Sequence, residues 1–260
     1  MRFCPIASGS SGNCVYVGVK DTHLLVDAGL SGKRVEMALS RLNVPRLSGI
    51  LMTHEHSDHV SGVGVLSRRY NLPIYATPKT WRFLLRHGTI GAIKEDLQRT
   101  IEPGEPFAIG DIEVLPFGVP HDASQPVGYL LEGFGYKAAV ATDMGYVTDT
   151  VRALLRGAHV MLIESNHDLE MLERGRYPRN LKERVKGHTG HLSNVAAGAL
   201  LAEIASDTCR IFLGHLSEEN NRPLIALNTV QNILAANDIN IKGLSVADRH
   251  EPSEMVEFSG

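Results

Sequence analysis

The sequence predicts a layered α/β domain, with sheets packed on each other and helices outside. Three observations predict it: apolar, β-branched runs end repeatedly in small or turn residues, the early runs follow one another in hairpin-like succession, and the later ones alternate with helical patterns. Two hundred and sixty residues at 43% hydrophobic and 21% charged suit one ordinary core. Because no Pro/Gly/Ser-rich stretch marks a boundary, residues 1–260 read as a single domain. The same composition excludes disorder, collagen and coiled coil.

Cys14–Val19 and His23–Val26 are apolar, β-branched runs separated by Lys20, Asp21 and Thr22 and read as a strand pair. Gly32–Leu42 places Val35, Ala38, Leu39 and Leu42 at helical spacing. Ser48–Met52 is the next strand, and Ser57–Tyr70 and Pro78–Arg86 are helices. Ile112–Pro116, Val127–Leu131 and Ala138–Ala141 form a second strand series. Helix Asp149–Arg156, strand Val160–Ile163, helix Ser193–Ile204, strand Arg210–Leu213 and helix Pro223–Ala236 complete the alternation. Hairpin strands followed by helix occur in both halves, a weak echo of internal duplication.

Net charge is −3 with His neutral, which excludes a global basic field for nucleic acid or anionic membrane, so polyanion binding has to be local. No window approaches the ~18 apolar residues of a membrane-spanning helix, and the first ten residues lack the pattern of a secretory leader. Cys4, Cys14 and Cys209 are too few for a disulfide framework. The expected address is the cytoplasm, without a membrane partner.

Histidine is the unusual component, 12 residues in all, and its placement matters more than its number. Thr53-His54-Glu55-His56-Ser57-Asp58-His59 follows a strand and opens a helix. In an extended turn, residues two apart project the same way, so His54 and His56 share one locus, while Asp58 and His59 point to a neighbouring one. Crowding four ligand-type groups into six positions without a metal would cost desolvation energy, and the set fits two adjacent metals better than one. Three further candidates stand at expected strand ends: His121, Asp143 and His215.

This set resembles the signature of the metallo-β-lactamase-fold hydrolases, T-H-x-H-x-D-H followed by a distant His, Asp and His, and the likeness covers essentially the whole chain. The resemblance implies a four-layer αβ/βα sandwich. It also implies two divalent ions, Zn²⁺ or Mn²⁺ with Fe²⁺ a further candidate: one held by His54, His56 and His121, the other by Asp58, His59 and His215, with Asp143 bridging. Asp27, in Val26-Asp27-Ala28-Gly29, matches the family's early Asp, which accepts a ligand N–H and fixes its tautomer. Family members that hydrolyse β-lactams mostly carry Cys where this chain has Asp143, and flavodiiron oxygen reductases carry Glu in place of His56. The 72 positions between Asp143 and His215 leave no room for the large insert of some nucleases.

Ser8-Gly9-Ser10-Ser11-Gly12-Asn13, Glu164-Ser165-Asn166-His167-Asp168, Gly190-His191-Leu192-Ser193-Asn194 and Gly214-His215-Leu216-Ser217 are similar to strings of the YycJ/WalJ (VicX) branch, related to tRNase Z and the PhnP phosphodiesterase. That branch implies hydrolysis of phosphodiesters, as a DNA exonuclease, by a metal-bridging hydroxide with Asp58 and His191 as catalytic side chains. Nucleic acid or a small phosphodiester is then the partner. His191, ahead of a helix start, is assigned phosphate contact and general acid. The Ser8–Asn13 loop, with Ser10 and Asn13, is either an anion cradle or a hairpin turn. Residues 173–186, with Arg176 and Arg179 among six cations against two acids, are either a basic flap over the site or a solvated face. Two competing expectations remain: a thioester or lactone hydrolase on the same metals, and a silent metal-stabilised binding module.

Overall fold

Residues 1–259 are described by the structure, a computed structural model. The first half holds strands β1 (Arg2–Ala7), β2 (Cys14–Val19), β3 (Thr22–Val26), β4 (Gly49–Leu51), β5 (Ile74–Ala76) and β6 (Gln98–Thr100). Its helices are α1 (Gly32–Arg41), α2 (Ser57–Val60), α3 (Val63–Tyr70) and α4 (Pro78–His87). The second half holds β7 (Phe107–Ile109), β8 (Ile112–Gly118), β9 (Val127–Gly133), β10 (Tyr136–Ala141), β11 (Val160–Glu164), β12 (Arg210–Gly214) and β13 (Gly243–Val246). Helices α5 (Asp149–Leu155), α6 (Leu169–Arg174), α7 (Arg179–Lys186), α8 (Asn194–Ile204) and α9 (Pro223–Ala236) accompany them, and β14 (Val256–Glu257) ends the chain.

One sheet runs β14-β1-β2-β3-β4-β5-β6 and the other β13-β12-β11-β10-β9-β8-β7. In each, an antiparallel meander gives way to parallel strands, at β3 in the first and β10 in the second. The expected echo between halves is therefore a repeated topology. Phe3, Val17, Leu24, Leu51, Tyr129, Leu131, Val140, Leu162 and Phe212 fill the space between the sheets. Separate apolar clusters lie under the helices on each outer face, which makes four layers. Because both faces are covered, β2, β3 and β11 are buried at every residue, and this explains their continuous apolar runs.

One expectation needs correction. The helix expected over Ser57–Tyr70 is broken, because the Gly62 N–H donates to the Ala28 carbonyl (2.8 Å) and α3 begins afresh. Residues 173–186 contribute the end of α6 and all of α7. Among the described residues no helix is long and apolar enough to cross a membrane.

Asp27, Asp143 and His215 follow the carboxyl ends of β3, β10 and β12 with φ of 58°, 58° and 54°. Left-handed backbone is uncommon outside glycine, and Asp and His are among the residues that tolerate it. Three such turns at one edge of the sandwich aim polar side chains into the same space.

Candidate metal centre

β4 delivers the histidine-rich turn and Asp27 anchors it. Asp27 Oδ1 accepts the Thr53 N–H (2.8 Å), and Oδ2 accepts the Thr53 hydroxyl (2.7 Å) and the His59 Nδ1–H (2.7 Å). That contact leaves His59 Nε2 as the donor atom, the role expected of Asp27. The Asn13 N–H donates to the Asp58 carbonyl and the Gly29 N–H to the Asn13 carbonyl, drawing three loops together. A Cβ on Gly29 would lie 1.6 Å from the Asp58 carbonyl oxygen, so only glycine allows this approach.

All seven expected donors converge. His54 Nε2 and His56 Nδ1 lie 3.0 Å apart, and His121 groups with them. Asp58 Oδ2 is 3.5 Å from both His59 Nε2 and His215 Nε2. Asp143 stands between the two sets, with Oδ2 at 3.4 Å from His59 Nε2 and Oδ1 at 3.5 and 3.7 Å from His215 and His121 Nε2. Donors around a tetrahedral ion with ~2.0–2.1 Å bonds sit about 3.3 Å apart, so the 3.4–3.7 Å spacings about Asp58 and Asp143 also suit shared coordination of an ion.

The residues fit such a group on independent grounds. His121 Nε2 and Asp143 Oδ2 are buried without a hydrogen-bond partner, an expensive state unless something else occupies the space between them. Burial alone would raise the Asp58 carboxyl, but hydrogen bonds from His215 and His59 bring it well below the usual range. Burial would likewise lower His215, yet Asp143 and the contacts to Asp58 and Glu164 raise it to about 10. Carboxylates that hold imidazolium this strongly are a place for positive charge.

Two carboxylates escaped the sequence reading. Glu164, fully buried at the end of β11, takes the His191 Nδ1–H at 2.7 Å and the His215 Nδ1–H at 3.1 Å on Oε1, while Oε2 accepts the Met144 and Leu192 N–H groups. Although Asp143, Glu164, His191 and His215 also cluster closely enough to suggest a metal group, 2.7 Å is a hydrogen bond rather than a ligand–ligand spacing. Glu164 is therefore a positioning residue. Its signal was a lone carboxylate closing the buried run Val-Met-Leu-Ile-Glu. Glu55, inside the motif, accepts the Ser124 N–H and hydroxyl (2.7 and 2.6 Å) and pins the loop that carries His121.

The remaining expected residues divide. Ser10 is exposed and lines a cavity beside His191. Asn13 is turned inward: its Oδ1 accepts the Gly9 N–H (2.9 Å) and its Nδ2 lies 3.2 Å from Asp58 Oδ2, so it braces the turn instead of presenting a free group to substrate. Arg176 is exposed, and Arg179 is exposed but paired with Glu183 at 2.8 Å. Arg184 on the same helix reaches Asp122, next to His121, which brings α7 over the site.

Comparison with known proteins shows the family and the fold. Residues 22–215 match the beta-lactamase superfamily domain. The chain is 44% identical over 254 residues to exodeoxyribonuclease YycJ of Bacillus anthracis, covering 96% of this chain and 94% of that one. It is 41% identical over 243 residues to exodeoxyribonuclease WalJ of Streptococcus pneumoniae serotype 2, covering 92% and 90%. Among solved structures, Zn²⁺-bound PqqB from Methylobacterium extorquens superposes with a TM-score of 0.74 at 19% identity, covering 98% of this chain and 100% of that one.

Proposed function

The chain belongs to the beta-lactamase superfamily, and from that premise we propose that it is a metal-dependent phosphodiesterase that shortens DNA from an end. Supporting the substrate class, the two relatives at 44% and 41% identity are named exodeoxyribonucleases. The observation that carries the reading is the Glu164–His191 pair beside seven converging donors.

Two divalent cations, one held by His54, His56 and His121 and one by Asp58, His59 and His215 with Asp143 between, would screen phosphoryl charge and acidify the attacking water. Imidazole with carboxylate suits Zn²⁺, Mn²⁺ or Fe²⁺. Asp58 is more open than Asp143, with 22% of its side chain exposed against 3%, and orients the water through the carboxylate oxygen that His59 and His215 leave free. Because Glu164 holds His191 through Nδ1, its Nε2 is left to protonate the departing oxygen. A sugar alkoxide needs that proton, whereas a thiolate leaves without it. The dyad thus favours phosphodiesters over the thioester reading.

Purified protein incubated with Mn²⁺ or Zn²⁺ should hydrolyse bis-p-nitrophenyl phosphate and shorten end-labelled DNA stepwise, both abolished by chelator and restored by metal. Chelator-sensitive turnover of neither substrate would overturn the proposal.

A further inference from the structure

Three loops meet at Ser165: the one leaving β11, the one that runs from His191 into α8, and the one leaving β12 toward α9. The first continues as a short extended segment between the other two. On one side the Asn166 N–H donates to the Leu192 carbonyl (2.8 Å) and the Asn194 N–H to the His167 carbonyl (2.9 Å). On the other, the Ser165 N–H donates to the Gly214 carbonyl (2.9 Å) and the Ser217 N–H to the Asn166 carbonyl (2.8 Å). Two amide side chains close over this segment. Asn221 Nδ2 shares its hydrogens among the Ser165 and Asn166 carbonyls (2.8 and 3.0 Å) and Asn194 Oδ1 (2.8 Å), while Asn194 Nδ2 donates back to Asn221 Oδ1 (3.1 Å). Asn194 Oδ1 also accepts the Ser165 hydroxyl (2.7 Å). Ser165, Asn194 and Asn221 are all buried. Burying such groups costs free energy even when every one is paired, a cost that apolar side chains filling the same space would avoid. What the amides add over apolar packing is a fixed register between segments.

We propose that the reciprocal Asn194–Asn221 pair aims His191, and that it serves the proton step rather than metal binding. The inference rests on the phosphodiesterase reading, in which His191 is the general acid, and adds the positioning residues that act through it. Glu164, which takes the His191 Nδ1–H, immediately precedes Ser165, and His191 stands three residues ahead of Asn194. A slide of the 191–194 segment along the loop after β11 would therefore carry His191 off its carboxylate. His215, the other imidazole on Glu164, is held separately: its N–H donates to the Ser8 hydroxyl (2.8 Å) and its carbonyl accepts from Asn166 Nδ2 (2.8 Å). The side-chain partners of Asn194 are Ser165 and Asn221, neither of them a metal-site donor.

The step balances as hydrolysis. The water oxygen forms a new P–O bond, the P–O bond to the sugar oxygen breaks with its electrons passing to that oxygen, and the oxygen takes the proton from His191 Nε2. The water's own proton passes to solvent, from which His191 is recharged. A sugar alkoxide cannot leave readily without that proton, whereas p-nitrophenolate can. A misaimed His191 therefore slows DNA cleavage far more than cleavage of a nitrophenyl ester, a contrast that a general loosening of the fold or a loss of metal does not produce.

Two variants test it: Asn194→Ala, which removes the reciprocal amide, and Ser165→Ala, which removes only the hydroxyl bonded to it and serves if the first does not fold. In Mn²⁺-loaded Asn194→Ala, turnover of end-labelled DNA should fall about 10²-fold and that of bis-p-nitrophenyl phosphate less than about threefold. Amide hydrogen exchange on the metal-free protein gives a readout apart from turnover. The Leu192 N–H, which donates to Glu164 Oε2 (3.2 Å), should exchange about tenfold faster, while the Thr53 N–H on Asp27 exchanges as in the wild type and shows the fold intact. Ser165→Ala should move both readouts the same way by smaller factors. Equal losses on the two substrates, or unchanged Leu192 exchange, would overturn the inference. The expected exchange pattern in a chain whose wild type hydrolyses neither substrate would instead sink the phosphodiesterase reading and leave the amide pair as what holds Glu164 against the 191–194 segment.

Discussion

Asp27 and Asp143 occupy matching turns. Each follows the strand at which its sheet changes from antiparallel to parallel, each has φ of 58°, and each is followed two residues later by glycine. Asp27 turns both oxygens onto Thr53 and His59, while Asp143 keeps Oδ2 unpartnered and stands among three imidazoles. The ends of β4 and β11 differ in the same sense, one leading into His54, His56, Asp58 and His59, the other closing on Glu164, which orients His191 and His215. A repeated topology thus provides two facing edges, and at each edge local side chains decide which group stands in the donor cluster and which one aims it. One carboxylate from each half, Asp27 and Glu164, performs the aiming.

Asp143→Ala breaks that contrast most severely. Loss of the carboxylate between the two donor sets should eliminate chelator-sensitive turnover and lower the metal content measured by elemental analysis. Glu164→Gln keeps the shape but frees His191 and His215 from their anchor, and should lower turnover of DNA about 10²–10⁴-fold with the chain still folded. Asp27→Asn should cost about 10–100-fold in metal affinity or activity, because only the orientation of His59 and Thr53 is disturbed. Steady-state kinetics with metal titration ranks the three, and an Asp27 variant as inactive as the Asp143 one would erase the distinction between donating and aiming.

Metal removal sharpens the same contrast through stability. A cation that binds only the folded chain stabilises it by about 2.7 kcal/mol at a hundred times its dissociation constant. Chelator should therefore lower the wild-type melting temperature and leave that of Asp143→Ala almost unmoved.

The donor set was legible because four of its members form one contiguous string and the other three follow apolar strand-like runs. The chemistry of the aiming residues was not, since a carboxylate such as Glu164 or Glu55 announces nothing until its partner, His191 or Ser124, is brought against it from 27 or 69 residues away. Strands of two to four residues, such as β5, β7 and β14, are too short to show a period. The break at Gly62 is set by the Ala28 carbonyl from another loop. For Asn13 the sequence left an anion cradle and a hairpin turn open, because it does not say whether the amide faces out or in, and packing against Asp58 turns it in.

The remaining effect, independent of metal, concerns His167, the one histidine in the loop after β11. It is as buried as His54 and His59, but its Nδ1 has no partner and, unlike them, it belongs to no donor group. Burial pushes it down to about 4, more than Glu164 pulls it up. The folded chain therefore keeps it neutral where the unfolded chain, with an ordinary histidine near 6.5, takes a proton. Stability is favoured above about pH 6.5 and erodes as the pH falls toward 4, by up to about 3 kcal/mol from this group. His167→Gln cannot titrate, so urea unfolding of the metal-free proteins between pH 6.5 and 4.5 should show a shallower loss for the variant than for the wild type. Parallel slopes would mean that a partner reaches the His167 ring, and that the two loops hold their histidines more alike than the unpartnered Nδ1 implies.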